Sequence, residues 1–355
     1  MEKKIRNLSA SRVKNIEGCS WRYYCDYELR VPSGTNSGAL RGTTCHAVLE
    51  CLINKRHSST LNLLKKAKTI TASPSIERKV KTYLRKFELL DSDNPMAQEE
   101  DHFILCDQMI IVGLTNKFLG DKGSSHPVSE LKFKIDNADP RYTMLGFIDK
   151  TTFTGKKNIK ITDYKTSKRR FEGKELSYNP QAMSYILAAH KEWPNLKNVS
   201  IDFMFLRFPD NPIQEFSYTK AELEGFEHYL ATLWEKINNF TEQDGLADLA
   251  AYQDWPKKDE GFTGKLMCGR AEYPGQLKKD GSVMWHCSAK FAFDYYQGID
   301  EEGGIVSTGK TRKELRKNPK VKTTKKVHYG GCPAFSRGSS CSGDKKKKKS
   351  DDFGF

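Results

Sequence analysis

Two aspartates and a lysine lie in neighbouring segments whose residues alternate as in β-strands. Asp149 ends a Gly-Phe-Ile-Asp segment, and Asp163 precedes Lys165 in an Asp-Tyr-Lys segment. The Gly-Lys-Lys-Asn residues at 155–158 between them indicate a hairpin turn. If the turn is centred on Lys156, Asp149 lies directly opposite Asp163, and Lys165, two residues further along the strand, shares their face.

Carboxylates that face each other repel, so this arrangement predicts a compensating cation. A divalent metal ion bound by both aspartates would supply it, and oxygen ligands suit Mg²⁺ or Mn²⁺. Such an ion polarises a phosphoryl oxygen and lowers the pKa of bound water, while a nearby lysine stabilises an anionic transition state. The alternative interpretation is an exposed hairpin with scattered charges, because Asp-x-Lys is a common tripeptide.

Two further pairs have the spacing of one helical turn. His46 and Glu50 are four residues apart in a segment that begins at Gly42, so they share a helix face. The imidazole could be a nitrogen ligand of the same metal, although a lone helical histidine is more often structural. Gln181 and Tyr185 are also four apart, and they could hydrogen-bond phosphates or orient the lysine.

In this order along the chain, the motifs resemble the PD-(D/E)XK nuclease superfamily, specifically its RecB-like exonuclease branch, which includes CRISPR-associated members. The start of the chain, with Ser9-Ala-Ser-Arg-Val and then Cys19-Ser20, is also similar to that branch, where Cys-Pro is usual. The resemblance covers about residues 8–210. Its motifs are Gly42 with His46, Gly146 with Asp149, Asp163 with Lys165, and Gln181 with Tyr185.

The resemblance implies an α/β (α+β) restriction-endonuclease-like fold, with a central mixed β-sheet flanked by helices. It also implies a set of metal ligands and a set of catalytic residues, among which Lys165 positions the attacking water. The implied ligands are His46, Asp149, Asp163 and the backbone carbonyl of Tyr164; the predicted catalytic residues are Asp149, Asp163, Lys165, Gln181 and Tyr185.

The chain has nine cysteines, an odd number, and no apolar leader segment. Both observations argue against a disulfide framework. Cys45, Cys51 and Cys106 lie in apolar-patterned segments, which predicts that they are core thiols. The four cysteines from Cys268 onward lie among glycine, proline and charged residues, where a core would not recruit them. We therefore predict metal ligation for that second group.

Two kinds of metal site are open for these cysteines, and no Cys-x-x-Cys pair decides between them. Unligated cysteines are the alternative to both. Four thiolates suit a structural Zn²⁺ site. Some relatives in the RecB-like branch instead hold a 4Fe-4S cluster with one cysteine before the histidine motif and three near the C-terminus. The candidate ligands are Cys268, Cys287, Cys332 and Cys341, with Cys19 as the alternative ligand.

The apolar spacing also predicts the elements that must position these residues. We divide the chain into a nuclease domain at 1–240, a cysteine-containing metal-binding appendix at 241–342, and a disordered basic tail with an acidic-aromatic tip at 343–355. Helices are predicted at 9–30, 43–54, 60–91 with a break near Ser73-Pro74, 180–192 and 219–239; strands are predicted at 102–106, 108–114, 129–136, 142–153, 158–166 and 200–207.

Positive charge is concentrated at the C-terminal end of the chain. The net charge is +14, and residues 305–355 hold 15 Lys or Arg against 4 Asp or Glu, so +11 of it lies there and only +3 elsewhere. This predicts a local contact with a polyanion, with a solubilising tail as the alternative. Trp21, Tyr23 and Tyr24 could stack on unpaired bases or form core.

The last residues, an acidic pair followed by Phe353-Gly-Phe355, are similar to the tip of bacterial single-stranded-DNA-binding proteins. Such a tip would dock on a partner enzyme or in this protein's own DNA groove; the alternative is an inert end. Without a Gly-x-x-x-x-Gly-Lys-Ser/Thr motif, ATP-driven unwinding would come from a helicase partner. We therefore predict DNA, single-stranded or with duplex ends, as substrate, and a helicase or single-stranded-DNA-binding protein as partner.

No apolar run approaches the ~20 residues of a membrane span, and the N-terminus lacks the apolar core of a secretory signal. We therefore expect neither a membrane nor a secreted protein, and a cytoplasmic location, nucleoid-associated or in the host cytoplasm if the source is viral. The predicted function is a metal-dependent DNA exonuclease serving recombination, repair or replication. The alternatives are a non-catalytic nucleic-acid-binding subunit and a structure- or sequence-specific endonuclease.

Overall fold

The computed structural model describes residues 5–252, 268–279, 281 and 283–335. Within that part, none of the helices has both the length and the apolar character needed to cross a membrane. The helices are α1 Ala10–Gly18, α2 Ser20–Tyr23 (continued by a π-helical turn, Tyr24–Glu28), α3 Ser37–Ile53, α4 Ser58–Ala67, α5 Pro74–Lys86, α6 His102–Thr115, α7 Lys174–Ser177, α8 Pro180–Glu192, α9 Lys220–Asn238, α10 Glu242–Ala247 and α11 Arg312–Leu315. The strands are β1 Val128–Asn137, β2 Tyr142–Thr154, β3 Asn158–Lys165, β4 Asn198–Phe205, β5 Ile213–Phe216, β6 Phe293–Ile299, β7 Ile305–Gly309 and β8 Thr323–Tyr329.

A five-stranded mixed sheet in the order β1-β2-β3-β4-β5 forms the centre of the molecule. β1, β2 and β3 pair antiparallel, β3 and β4 pair parallel, and β5 pairs antiparallel with β4. A parallel pair needs a crossover connection, and α8 lies in the segment that joins β3 to β4. The predicted central mixed sheet flanked by helices is confirmed.

Each face of this sheet is covered by a separate hydrophobic core. On one face, Ile161 and Phe203 of the sheet pack with buried residues of α8 and α9. On the other face, Tyr164 and Met204, which alternate with them along the same strands, pack with the buried residues of α3, α4, α5 and α6. Strands β3 and β4 are therefore covered by core residues on both sides, as expected for a parallel pair with helices on both faces.

The prediction of two strands at 102–106 and 108–114 is wrong. These residues form the single helix α6, whose N-cap Asp101 accepts a hydrogen bond from the backbone N–H of Ile104. A short apolar run has no period that distinguishes a buried strand from a buried helix. Here α6 is buried on several sides in the second core, so no polar face marks its helical turn. In addition, α3 begins at Ser37 rather than at 43.

A second sheet, ordered β7-β6-β8, packs against the beginning of the chain. The indole Nε1 of Trp21 donates to the Tyr329 hydroxyl at 2.9 Å, and that hydroxyl donates to the carbonyl of Ala289 at 2.8 Å. Trp21 is 6% exposed and Tyr23 fully buried, so these two rings belong to the core and the base-stacking prediction is wrong for them. The domain boundary at 240 stays a prediction.

The cysteines predicted to be core thiols behave differently from one another. Cys45 and Cys106 are fully buried, as predicted. Cys51 is only half-buried, with its Sγ 3.6 Å from Nε2 of His57. Cys341 and the acidic-aromatic tip at 351–355 lie outside the described residues.

Candidate active site

The hairpin of β2 and β3 places the two aspartates opposite each other. Lys150 pairs with Thr162 and Thr154 with Asn158, so the register is centred on Lys156, as predicted. Extending this register by one residue puts Asp149 opposite Asp163. The backbone N–H of Tyr164 donates to Oδ2 of Asp149 at 2.9 Å, which holds the Asp149 carboxylate against β3.

Gly146 lets an aromatic ring lie across β2 just before Asp149. It pairs with Phe133 of β1, and a Cβ at this glycine would lie 2.4 Å from Cζ of that ring. Phe133 in turn packs edge-on against Tyr185 of α8, with ring centroids 6.0 Å apart. The glycine of the Gly-x-x-Asp motif thus serves the packing that joins β1, β2 and α8.

Helix α3 brings His46 to the same place. A Cβ at Gly42 would lie 3.0 Å from Oγ1 of Thr166, so this glycine allows α3 to approach the end of β3 closely. One turn later, Nδ1 of His46 lies 3.3 Å from Oδ2 of Asp149, and its Nε2 donates to the carbonyl of Tyr164 at 2.9 Å. Three of the four predicted metal ligands therefore meet in this cluster.

Asp163 begins a chain of hydrogen bonds that runs to α8. Its Oδ2 lies 2.7 Å from Nζ of Lys165, and its Oδ1 accepts from Nε2 of Gln181 at 2.7 Å. The same lysine Nζ donates to Oε1 of Gln181 at 2.8 Å, and Gln181 Nε2 also donates to the Tyr185 hydroxyl at 2.9 Å. Asn179 caps α8 by accepting from the backbone N–H of Gln181. Four of the five predicted catalytic residues thus form one connected group: Asp163, Lys165, Gln181 and Tyr185.

Charge in the site favours a cation beside the aspartates. Burial alone would lower the pKa of His46, but the hydrogen bond and charge of Asp149 outweigh it and raise that pKa. Burial alone would raise the pKa of Asp149, but its hydrogen bond with His46 and the histidine's charge outweigh it and lower that pKa. Burial raises the pKa of Asp163, which is 3% exposed, against the opposing charge of Lys165. His46 and Lys165 therefore lie where they offset only part of the negative charge of the two carboxylates.

The donor set fits a hard divalent cation, which accepts carboxylate and carbonyl oxygens together with imidazole nitrogen. In the described part of the chain, no three His, Cys, Asp or Glu side chains stand close enough to hold an ion as they are placed. Both carboxylate oxygens of Asp163 instead contact other side chains of the protein. Oδ2 forms an ion pair with Lys165 but accepts no hydrogen bond. His46, Asp149, Asp163 and the Tyr164 carbonyl are the residues that would hold the metal.

A third carboxylate, which the sequence analysis did not include in the site, lies across the sheet in line with Asp149 and Asp163. Glu130 of β1 lies between Ser129, which pairs with Lys150, and Leu131, which pairs with Ile148, so it stands opposite Asp149. Its φ of 51° is left-handed and strained for a residue with a side chain. Burial and then the charges of Asp149 and Glu50 raise its pKa. A hairpin centred on the turn at Asp139-Pro140 would have predicted this position.

Four of the candidate cysteine ligands come from distant parts of the sequence to one region. Cys268, Cys287, Cys332 and Cys19 interact electrostatically with one another, and burial together with the other three thiols raises the pKa of Cys268 to about 12. The backbone N–H groups of residues 289 and 334, each two residues after a cysteine, donate to the thiols of Cys287 and Cys332. Lys290 Nζ joins these segments by donating to the carbonyls of residues 269 and 271.

A mixed sheet between two helical layers, with facing carboxylates, a lysine two residues later and a helical histidine, defines the class of fold and site. The family model of the PD-(D/E)XK nuclease superfamily matches residues 7–248, and the chain belongs to that family. The resemblance seen in the sequence is confirmed, and the protein is a nuclease, a phosphodiester hydrolase acting on nucleic acid. Enzymes of this superfamily generally use divalent metal ions such as Mg²⁺ or Mn²⁺.

Among solved structures, the chain is similar to one named as a putative exonuclease from Eubacterium rectale. The two share 10% sequence identity, with a TM-score of 0.41 over 66% of this chain and 81% of that one. No curated protein matches the chain.

Proposed function

We propose that this nuclease is a metal-dependent DNA exonuclease that serves recombination, repair or replication. The observation that carries the proposal is the pairing of Asp149 with Asp163 across β2 and β3, with His46 on one side and Lys165 on the other. A divalent ion bound by the two carboxylates, His46 and the Tyr164 carbonyl would polarise the phosphoryl group and lower the pKa of the attacking water.

The chain's own residues have separate tasks in this proposal. Lys165 carries its ammonium beside the carboxylate of Asp163, where it stabilises negative charge that develops on the phosphoryl oxygens and positions the attacking water. Gln181 accepts from Lys165 and donates to Asp163, so it holds both in fixed orientation. Tyr185 anchors Gln181 from the next turn of α8 and contributes positioning.

End-labelled DNA tests the reaction and distinguishes an exonuclease from an endonuclease. The wild-type protein is incubated with linear single-stranded DNA, linear duplex and covalently closed circles, each with Mg²⁺, Mn²⁺ or EDTA. Release of mononucleotides or short products from linear DNA only, abolished by EDTA, is expected. Cleavage of closed circles would make the protein an endonuclease, and binding without cleavage under any metal would make it a non-catalytic subunit.

We also propose that Cys19, Cys268, Cys287 and Cys332 hold a 4Fe-4S cluster. Cys19, Cys287 and Cys332 pack in one cluster, and the backbone N–H of Cys287 donates to the carbonyl of Cys268 at 3.1 Å. Backbone N–H groups also donate to the thiols of Cys287 and Cys332. This proximity supports a shared thiolate site. One cysteine before the histidine motif and three late in the chain match the plan that the family resemblance implies for an iron–sulfur cluster, which favours a cluster over Zn²⁺ with four cysteine ligands. This choice puts Cys19, the alternative ligand of the sequence analysis, in place of Cys341, which lies outside the described residues.

Metal analysis of anaerobically purified protein distinguishes these cases. Four iron and four sulfide per chain with broad visible absorbance are expected, and the Cys287→Ser variant should lose them. Cys106→Ser, which changes a buried thiol in the second core, is the matched control and should keep them. One zinc per chain in colourless protein would favour the zinc site, and protein with neither metal would contradict both.

A further inference from the structure

A pocket of about 630 Å³ opens beside the catalytic cluster, at the C-terminal end of α3. Its walls are the last turns of α3, the 3-10 turn at Lys55–His57, Lys79 of α5 and residues 126–129, which lead into β1. Ala47, next to His46, lines one end of the pocket, and Ser129, next to Glu130, lines the wall formed by β1. The pocket therefore borders α3 and β1, the two elements that carry His46 and Glu130.

The far end of this pocket carries unpaired positive charge. Lys55, Arg56 and Lys79 line it, and none of the three has an ion pair with a carboxylate among the residues that the structure describes. On the same helix as Lys79, by contrast, Lys81 is paired with Glu77 at 2.5 Å. Three cations left without counter-charges around one concavity favour an anion as the occupant.

The carboxylate in the pocket lies at the catalytic end. Glu50 is the acidic residue of the lining, and it is close enough to Glu130 for its charge to act on that residue. From His46 to Asn54, the C-cap of α3, eight steps of 1.5 Å cover about 12 Å. A strand that leaves the proposed metal site along α3 would pass Glu50 and then meet the three cations.

The basic end is held in shape before any ligand arrives. The side chain of Asn54 accepts from the backbone N–H of Arg56 at 3.1 Å and so caps the turn. Nε of Arg56 donates to His57 at 3.0 Å, which directs the guanidinium. Nε2 of His126 donates to the carbonyl of Ile53 at 2.7 Å and fastens the segment before β1 to the end of α3.

We propose that this pocket binds a phosphate group of the nucleic-acid strand whose scissile phosphate lies at Asp149 and Asp163. The proposal rests on the proposed function, because it adds a second point of attachment for the same substrate. The phosphate belongs either to the strand's backbone or to its terminus; both present the same anionic oxygens to lysine and arginine.

Oligonucleotide binding tests the pocket separately from catalysis. Affinity of a fluorescent single-stranded oligonucleotide is measured by anisotropy in EDTA, between ~50 and ~200 mM salt. We expect Lys55→Ala/Arg56→Ala to lower the affinity about tenfold and to reduce the salt slope by about 0.7 for each phosphate that the variant no longer neutralises. Lys79→Ala, on another element, should lower affinity in the same way with a smaller change of slope.

The matched control is Lys156→Ala/Lys157→Ala, which removes the same charge from the exposed β2–β3 turn. That turn lies seven residues, about 23 Å, along β3 from Asp163. If the pocket variants bind like this control, the proposal is wrong. Thermal unfolding checks that each variant remains folded. Because Lys55 and Arg56 lie in a different element from Lys79, one variant still tests the proposal if the other does not fold.

Oligonucleotides with a 5′-phosphate, a 3′-phosphate or neither distinguish the two sources. An equal loss of affinity with all three assigns the pocket to a backbone phosphate, and a loss confined to one phosphorylated end assigns it to the terminus. Cleavage in Mg²⁺ is measured on the same proteins. If the pocket variants lose affinity but the wild type cleaves no DNA, the proposed catalysis is wrong and the phosphate pocket is supported. If the wild type cleaves DNA but the pocket variants bind like the control, the phosphate pocket is wrong and the proposed catalysis is supported.

Discussion

Lys165 is held between two acceptors from different elements, Asp163 on its own strand and Gln181 on α8. Its Nζ also lies 5.1 Å from the ring of Phe203. Removal of this ammonium by Lys165→Ala should lower the rate of cleavage on the order of 10²–10³-fold, because the transition state would no longer be stabilised by that charge. Single-turnover cleavage measures the effect, and Mn²⁺ binding by calorimetry should change little. Cleavage at the wild-type rate would contradict the role of this lysine.

The two aspartates should be indispensable for cleavage and dispensable for DNA binding. Asp149→Ala and Asp163→Ala are each expected to abolish cleavage, since each removes a ligand of the proposed metal. Anisotropy should show largely unchanged DNA affinity. Asp136→Asn changes an exposed carboxylate paired with Arg141 further along β1 and is the matched control. Full activity in either aspartate variant, or activity that EDTA does not affect, would refute the mechanism.

In the proposed mechanism Gln181 acts through Lys165 and Asp163, so its substitution separates positioning from chemistry. In Gln181→Ala, Lys165 and Asp163 lose a shared hydrogen-bond partner, and a loss of about 10²-fold in kcat is expected from misplacement alone. KM for DNA should hardly change. Gln181→Glu keeps an acceptor for the lysine but adds charge next to Asp163, so it should rescue only part of the rate. A change in KM with constant kcat would indicate a binding role instead.

At the scale of single elements, the packing of β1 against β2 depends on Gly146, which has no side chain to collide with Phe133. Gly146→Ala would place a methyl group 2.4 Å from Cζ of Phe133, and we expect this overpacking to lower the unfolding free energy by about 2 kcal/mol. The cost should fall in a Phe133→Leu background. The control is Gly225→Ala in α9, where an added Cβ would meet no atom within 4 Å. Alanine is also preferred to glycine in a helix, so this variant should not be destabilised. Urea denaturation measures both.

Glu100 connects α3 to the ends of β3 and β4. Its carboxylate contacts Arg41 at 3.0 Å, Arg207 at 2.8 Å and Lys168 at 3.2 Å. Burial alone would raise the pKa of Glu100, but the hydrogen bonds and charges of these cations outweigh it and lower the pKa to about 2. Because the folded pKa lies below the unfolded value of about 4.3, this stabilisation is present above that pH and is lost as pH falls towards 2.

Thermal unfolding between pH 2 and pH 7 tests this dependence. Glu100→Gln should lower the melting temperature at neutral pH, because Arg41, which is 2% exposed, would keep its charge without a carboxylate partner. The difference from wild type should shrink as the pH approaches 2. Glu224→Gln, which removes an exposed partner of Lys220, is expected to have little effect at any pH. A difference that stays constant with pH would show that the charge of Glu100 does not matter.

At the scale of the whole molecule, the second sheet is attached to the beginning of the chain through a buried hydroxyl. Tyr329→Phe would leave the indole N–H of Trp21 and the carbonyl of Ala289 without this partner. An unsatisfied buried polar group costs about 1–3 kcal/mol, so the unfolding free energy should fall by that order. Tyr273→Phe, on an exposed ring, is the control. If the proposed cluster is present, iron content should also fall, because Cys332 follows Tyr329 closely.

Much of the candidate active site follows from local sequence. The alternation of β2 and β3 and the length of the turn between them determine that Asp149 faces Asp163, because strand residues two apart share a face and a short turn sets the register. The spacing of Gln181 and Tyr185 likewise places both on one face of α8. These relations depend only on neighbours along the chain.

Other features depended on packing between segments that are far apart in sequence. The apolar residues 102–115 became a helix because α3, α4 and α5 surround them, and no local period indicates that burial. Cys19 meets Cys332 because α2 packs on the second sheet. Such contacts arise from the complementarity of distant surfaces, which leaves no pattern along the chain, and for that reason the tertiary structure alone decided them.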